Sequence, residues 1–162
     1  MDTTLLFKAA ILGIVEGAKE DKAGWTGFLS HLKQRGLQGV ELILCGYNTP
    51  IHYVPDPSQD ILQGFHNALV LQSGAYQNGT WVVGVAKGGV EAGVDSLAQS
   101  MIVAPSGQIV AQAVSAGDEL ISAACDLDWC KRYTHTVFDF DRYRRPEMYT
   151  RITAQRGAIP PR

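Results

Sequence analysis

Cys45, with Asn48 and Thr49 three and four residues later, is the first combination in this chain whose residue types and spacing suit chemistry. A cysteine at a strand end is a nucleophile if a base stands beside it, and His52 or His66 are the nearest candidates in sequence. The plainer reading of Cys45, flanked by Leu44 and Gly46, is a small buried hydrophobe. Asn48 and Thr49 are short hydrogen-bonding groups on a turn-forming exit ending at Pro50, where open α/β sheets meet their ligands. His66 falls within an apolar helical pattern and reads first as a buried, hydrogen-bonded histidine. Lys87 and Glu91 stand four apart after a strand, a spacing that fits a catalytic pair but more simply a solvated ion pair. Asp126 and Asp128 have the types for a metal, yet capping of a short helix accounts for them without one. Cys45, Cys125 and Cys130 form no close C-x-x-C pair, so neither a zinc ribbon nor a redox motif is indicated, and reduced thiols in a cytoplasm are expected.

Several elements must position these residues. Apolar Val40, Leu42, Ile43 and Leu44 predict a buried strand over 40–45. Residues 47–60, with Pro50, Pro55 and Pro57, predict a loop. A helix follows from about Ile61 to Tyr76, with Ile61, Phe65, Leu69 and Gln72 expected as its buried stripe and Gln77-Asn78-Gly79 as its stop. Thr80 to Ala86 is a β-branched strand, and Lys87 to Ser96 a glycine-rich loop. Ser100–Ala104 and Gln108–Gln112 flank Pro105-Ser106-Gly107, the pattern of a tight hairpin. Glu119 to Asp126 is expected as a further strand. A short helix through Trp129 and Tyr133 comes next, and the arginine-rich tail after Phe140 reads as extended. Ahead of all this, residues 3–20 and 24–35 have modest helical periodicity. The strands carry bulky groups on both faces. One face is covered by the 61–76 helix; the other is either an interface or is covered by the N-terminal helices.

Composition narrows the function classes. The chain has 162 residues, 46% hydrophobic and 19% charged, enough for one domain with a real core. A net charge of −2 argues against nucleic acid and anionic membrane as partners. From Lys131 onward basic residues outnumber Asp139, Asp141 and Glu147, but arginines interleaved with Tyr143, Pro146, Met148 and Tyr149 suit a protein interface. The N-terminal apolar stretch is too short and interrupted to span a membrane and lacks the pattern of a signal peptide.

An ordered set of segments carries a resemblance. Gly36 to Pro50 is followed by Phe65-His66-Asn67-Ala68-Leu69, Gln72 to Trp81, Ser100 to Val110, Ile121 to Asp128, and Phe138 through Pro146. In order and spacing this set resembles the C-terminal half of the N-carbamoyl-D-amino-acid amidohydrolases, within the nitrilase-like carbon–nitrogen hydrolases. The resemblance covers about Gly36 to Tyr149. It implies an α/β fold, the C-terminal portion of an αββα sandwich, with one mixed sheet and helices and the second sheet largely missing. It divides the chain into a non-matching segment 1–35, a partial hydrolase domain 36–150 and a polar tail 151–162.

The resemblance implies hydrolysis of N-carbamoyl-D-amino acids to the D-amino acid, ammonia and carbon dioxide, with no cofactor and no metal. It implies a substrate-binding role for Asn48 and Thr49, which match positions that help hold the substrate carboxylate, and for His66, which matches a histidine near the active-site region. Family catalysis uses a Glu base, a Lys that stabilises the oxyanion and a Cys nucleophile. The Glu and Lys belong to an N-terminal half absent from these residues. The nucleophile belongs to a Cys-Asn-Asp-Arg-Arg segment whose place is taken by Thr26 to Arg35, so no residue here inherits a catalytic role. The expected partners are a small N-carbamoyl amino acid and either further copies of the chain, as a homo-oligomer, or the missing N-terminal half. The competing expectation is an inactive truncated or frame-shifted fragment that serves at most as an oligomerisation or binding module.

Overall fold

The computed structural model describes residues 39–52 and 55–150. The chain divides into two compact units, Met1–Val40 and Glu41–Arg162, and all the described strands and helices belong to the second. The helices expected over 3–20 and 24–35 and the tail 151–162 lie outside the described residues.

The architecture is mixed α/β. Strand β1 (Leu42–Tyr47) leads through a polar loop and a 3-10 turn (Pro57–Leu62) into helix α1 (Gln63–Asn78) and then β2 (Trp81–Ala86). After a small ribbon, β3 (Val90–Glu91) and β4 (Val94–Asp95), come β5 (Met101–Val103), β6 (Ile109–Gln112) and the short helices α2 (Trp129–Thr134) and α3 (Phe140–Tyr143). The main sheet has the order β1-β2-β5-β6. β1 and β2 are parallel, in the register Ile43↔Val82 and Cys45↔Gly84, whereas β2–β5 and β5–β6 are antiparallel. A parallel pair needs a crossover, and α1 supplies it.

Local chemistry explains the boundaries. Asp56 caps the 3-10 turn by accepting the Ser58 N–H at 3.1 Å. Gly79, at φ +56°, ends α1 in the left-handed conformation, and its N–H reaches the Tyr76 carbonyl at 3.1 Å. The hairpin between β5 and β6 turns at Gly107, φ +82°, whose N–H donates to the Ala104 carbonyl at 2.8 Å.

Two cores sit on opposite faces of the sheet. On the α1 face, Ala75, Val82, Met101 and Val103 are buried, with Ala68, Leu71 and Ile109 against them. On the other, Trp81, Ile102, Ala104 and Cys130 are buried under Ile121, Ala123, Cys125, Leu127 and Trp129. That second face was expected either to be open or to be covered from the N-terminus. Among the described residues it is covered in part by residues 121–130, with the Trp81 and Trp129 rings stacked at 5.9 Å, and the N-terminal helices lie outside the described residues.

Several expectations need correction. The helix buries a different stripe: Ile61 is 87%, Phe65 61% and Leu69 48% exposed. Small Ala68 and Ala75, with Leu71, form the face that approaches the sheet, because small side chains allow the closer fit. Gln72 does turn inward, where its Nε2 donates to the Gly107 carbonyl at 2.8 Å. Glu119 to Asp126 is extended, and its side chains alternate in burial from Ile121 onward, but it joins no ladder. It lies across the sheet face rather than beside an edge, so period-two burial arises from face packing alone. Lys87 to Ser96 is not a plain loop: it holds the β3–β4 ribbon, turned by Ala92 and Gly93 at φ +50° and +80°. The tail after Phe140 is not extended but contains α3 and a 3-10 turn (Pro146–Met148).

Candidate functional site

The carboxyl end of β1 and the first two turns of α1 together form a cleft of about 340 Å³, the lower end of the small-molecule range. β1 contributes Cys45 and Tyr47, which point to one face by strand alternation, and Thr49 follows them. α1 contributes Gln63, His66, Asn67 and Val70, at spacing i, i+3, i+4 and i+7 on one side of the helix, together with Leu71. The loop after β1 is pinned to the far side of the ribbon: Leu97 N–H donates to the Thr49 carbonyl at 2.8 Å and Ile51 N–H to the Asp95 carbonyl at 2.9 Å. These bonds fix Thr49 at the cleft mouth.

Two of the three residues expected to bind substrate therefore meet. Thr49 and His66 line the same cleft, whereas Asn48 is exposed and is not among the lining residues. Tyr47, Gln63 and Asn67 were not singled out from the sequence. Their signal was available in outline, since Tyr47 lies two residues from Cys45 and Gln63 and Asn67 flank His66 at helical spacing.

The two plain readings of Cys45 and His66 as buried side chains do not hold, for both are exposed. α1 packs over β2 and β5, and one helix is too narrow to cover β1 as well, so the α1-side groups of β1 stay open. His66 instead has Phe65 beside it, with ring centroids 5.7 Å apart. His52 pairs with Asp60, Nδ1 to Oδ2 at 2.8 Å, and is not among the cleft-lining residues.

At the cleft floor Tyr47 packs over Gly84, where a Cβ would stand 3.3 Å from its hydroxyl and 2.7 Å from Leu71 Cδ1. Burial pushes the Tyr47 phenol above its ordinary value; the nearby Asn67 side chain opposes the shift and Cys45 adds to it. Asn67 is close enough to act on the phenol, yet the geometry falls short of a hydrogen bond. Tyr47 Oη and Asn67 Nδ2 are both buried without a partner among the described residues.

Among the described residues the cleft lining holds one thiol and one imidazole, with no carboxylate and no ammonium. It has hydrogen-bonding groups and apolar walls for holding a small molecule. Among the described residues it places no acid and no amine around Cys45. Lys87 and Glu91 do form an ion pair, but at the base of the β3–β4 ribbon, in solvent. Asp128 stands at the N-terminus of α2 without capping it and pairs with Lys131, while Asp126 Oδ1 accepts the Asp128 N–H at 3.0 Å. Among the described residues no three His, Cys, Asp or Glu side chains cluster to hold a metal ion, and no helix is long and apolar enough to cross a membrane.

Comparison with known proteins agrees with this outline. The carbon–nitrogen hydrolase family model matches residues 28–134, about two thirds of the chain. Among solved structures, a carbon–nitrogen hydrolase from Helicobacter pylori G27 is similar at a TM-score of 0.59 and 18% identity. The similarity covers 80% of this chain and 46% of that one, so the chain spans less than half the length of that structure. At this identity the likeness speaks for the fold, and the family model, which takes in both cores and the cleft, speaks for descent: the chain belongs to the carbon–nitrogen hydrolase family.

Proposed function

We propose that this chain carries the substrate-holding side of a carbon–nitrogen hydrolase acting on N-carbamoyl-D-amino acids, with release of the D-amino acid, ammonia and carbon dioxide. The observation that carries this reading is the convergence of Thr49 and His66 in one cleft at the carboxyl end of β1. Asn48, adjoining Thr49 on the exposed loop, is assigned to the carboxylate end of the substrate. Two neutral donors without an arginine fork hold a carboxylate weakly, so the expected affinity is low. Bond cleavage requires a base, an oxyanion-stabilising cation and a nucleophile, and the place of the expected nucleophile segment reads Thr26 to Arg35. Taken by itself, the chain is therefore expected to bind without turning over. A cytoplasmic location and self-association belong to the same reading.

One observation favours the second reading, an inactive fragment serving as an oligomerisation or binding module: among the described residues, Cys45 shares the cleft lining with no acid and no amine. One experiment separates the two. The purified chain is incubated with N-carbamoyl-D-alanine and its L-enantiomer, ammonia is assayed, and amide resonances are followed by NMR. The first reading expects no ammonia, with shifts at Asn48, Thr49 and His66 that are larger for the D-enantiomer. Absence of shifts leaves the fragment reading. Turnover that disappears in Cys45→Ala overturns both and makes Cys45 the nucleophile.

A further inference from the structure

Asn78-Gly79, the stop of α1, holds chemistry that the cleft does not use. The chain has three asparagines, and only Asn78 precedes a glycine; Asn48 precedes Thr49 and Asn67 precedes Ala68. A glycine on the carboxyl side leaves its main-chain nitrogen unshielded and free to turn toward the asparagine side chain. From there the nitrogen attacks the side-chain amide carbon.

In the folded chain the two reacting groups are held apart. Asn78 is exposed, but its Nδ2 donates to the Gly74 carbonyl at 2.9 Å, which draws the side chain back along the helix and away from Gly79. The Gly79 N–H donates to the Tyr76 carbonyl at 3.1 Å and the Thr80 N–H to the Ala75 carbonyl at 3.0 Å, the paired bonds of a Schellman motif. Helix α2 is pressed against this stop. A Cβ at Gly79 would stand 2.9 Å from both Tyr133 Cβ and Thr134 Cγ2, and the Tyr76 ring meets Tyr133 and Phe138 edge-on at 5.8 and 4.9 Å.

We infer that Asn78 is a deamidation site gated by the contact between the end of α1 and α2. The reaction starts when that contact opens and frees the Gly79 nitrogen. A bond forms between this nitrogen and Asn78 Cγ, the Cγ–Nδ2 bond breaks, and ammonia leaves with the proton of the Gly79 N–H. Water then opens the cyclic imide at either carbonyl, leaving aspartate or isoaspartate. The sum is amide plus water to carboxylate plus ammonium, with no oxidant or reductant. The product does not rebuild the stop. A carboxylate at a helix C-terminus opposes the helix dipole, and isoaspartate routes the main chain through its own Cβ just where α2 packs tightest on Gly79. An opening of the contact is thereby made permanent. The inference is independent of the substrate reading.

The full 162-residue chain is incubated in mildly alkaline buffer, native and in urea, and its peptides are mapped by mass with isoaspartate labelled by an isoaspartyl methyltransferase. In urea Asn78 is expected to convert ahead of Asn48 and Asn67, and in the native chain the same conversion is expected to be about tenfold or more slower. Two variants grade the contact. Thr134→Ser removes the methyl group against Gly79, and Tyr133→Ala removes the ring against Tyr76. Conversion is expected to rise in that order, in step with hydrogen–deuterium exchange at the Gly79 amide, and Asn78→Gln is expected to abolish it. Far-UV circular dichroism verifies that the variants are folded; if Tyr133→Ala is not, Thr134→Ser carries the comparison. Three results each overturn the inference: equal rates with and without urea, conversion in urea no faster at Asn78 than at Asn48 and Asn67, and faster Gly79 exchange in a folded variant without faster conversion.

Discussion

The indole Nε1 of Trp81, at the start of the central strand β2, donates a hydrogen bond of 2.9 Å to the main-chain carbonyl of Asp126, forty-five positions later. This bond and the stacking of Trp81 on Trp129 fasten the extended 121–126 segment across the sheet face. The carbonyl has therefore found its partner outside any ladder, which is how a segment with strand-like alternation stays off the sheet edge. Replacing Trp81 with Phe keeps a ring but orphans the carbonyl. The expected loss is about 1–3 kcal/mol of unfolding free energy, read from urea denaturation.

Gly88 joins β2 to the ribbon against the 113–117 turn. A Cβ there falls well inside contact distance of the Ala116 carbonyl oxygen, and backbone cannot yield as a side-chain tip can. Gly88→Ala is expected to cost about 1–3 kcal/mol, measured in the same denaturation series. Gly74→Ala, on an open side of α1, is expected to be neutral or stabilising.

The three thiols differ in availability. Cys45 is exposed, Cys125 is half-buried, and Cys130 is buried with its Sγ donating to the Glu41 carbonyl at 3.4 Å. Burial pushes the Cys125 and Cys130 thiols up, so both hold less thiolate at neutral pH. Alkylation at pH 7.5 with subsequent peptide mass mapping is expected to label Cys45 first, and Cys45→Ser to remove the fast phase. Equal rates at all three cysteines would contradict the burial order.

His52 titrates above the ordinary histidine value of 6.5, first because of its hydrogen bond to Asp60 and then because of the Asp60 charge. The folded value exceeds the unfolded one. The contribution to stability is thus complete below the unfolded value and fades as pH rises through the folded one. His52 is exposed and the pair is screened, so the stability change is small, but the titration midpoint is directly visible by NMR. Asp60→Asn is expected to bring that midpoint down, and an unchanged midpoint would show that Asp60 does not set it.

Much of the framework was legible because it depends on local signals. An apolar run marked β1, a β-branched run marked β2, Pro105-Ser106-Gly107 marked the hairpin of β5 and β6, and Gly79 marked the end of α1. The face that α1 buries was not legible. Ile61, Phe65 and Leu69 and the set Ala68, Leu71 and Ala75 both recur at helical spacing, and hydrophobicity favours the first. Close approach to the sheet favours the second. That choice exposed His66 and Cys45, placed Gln63 and Asn67 in the cleft, and left Asn48 outside its lining.

The sequence alone determined the main strands β1, β2, β5 and β6, the helix between β1 and β2 with its stop at Gly79, and the Pro105-Ser106-Gly107 hairpin, and through the order of its segments it pointed to the family, because backbone propensities and turn chemistry act over a few neighbouring residues. Tertiary structure decided which side of each element meets another. It set Thr49 and His66 in one cleft and laid residues 121–126 on a face instead of an edge. Those outcomes depend on the steric fit between segments far apart in the chain, which no local pattern encodes.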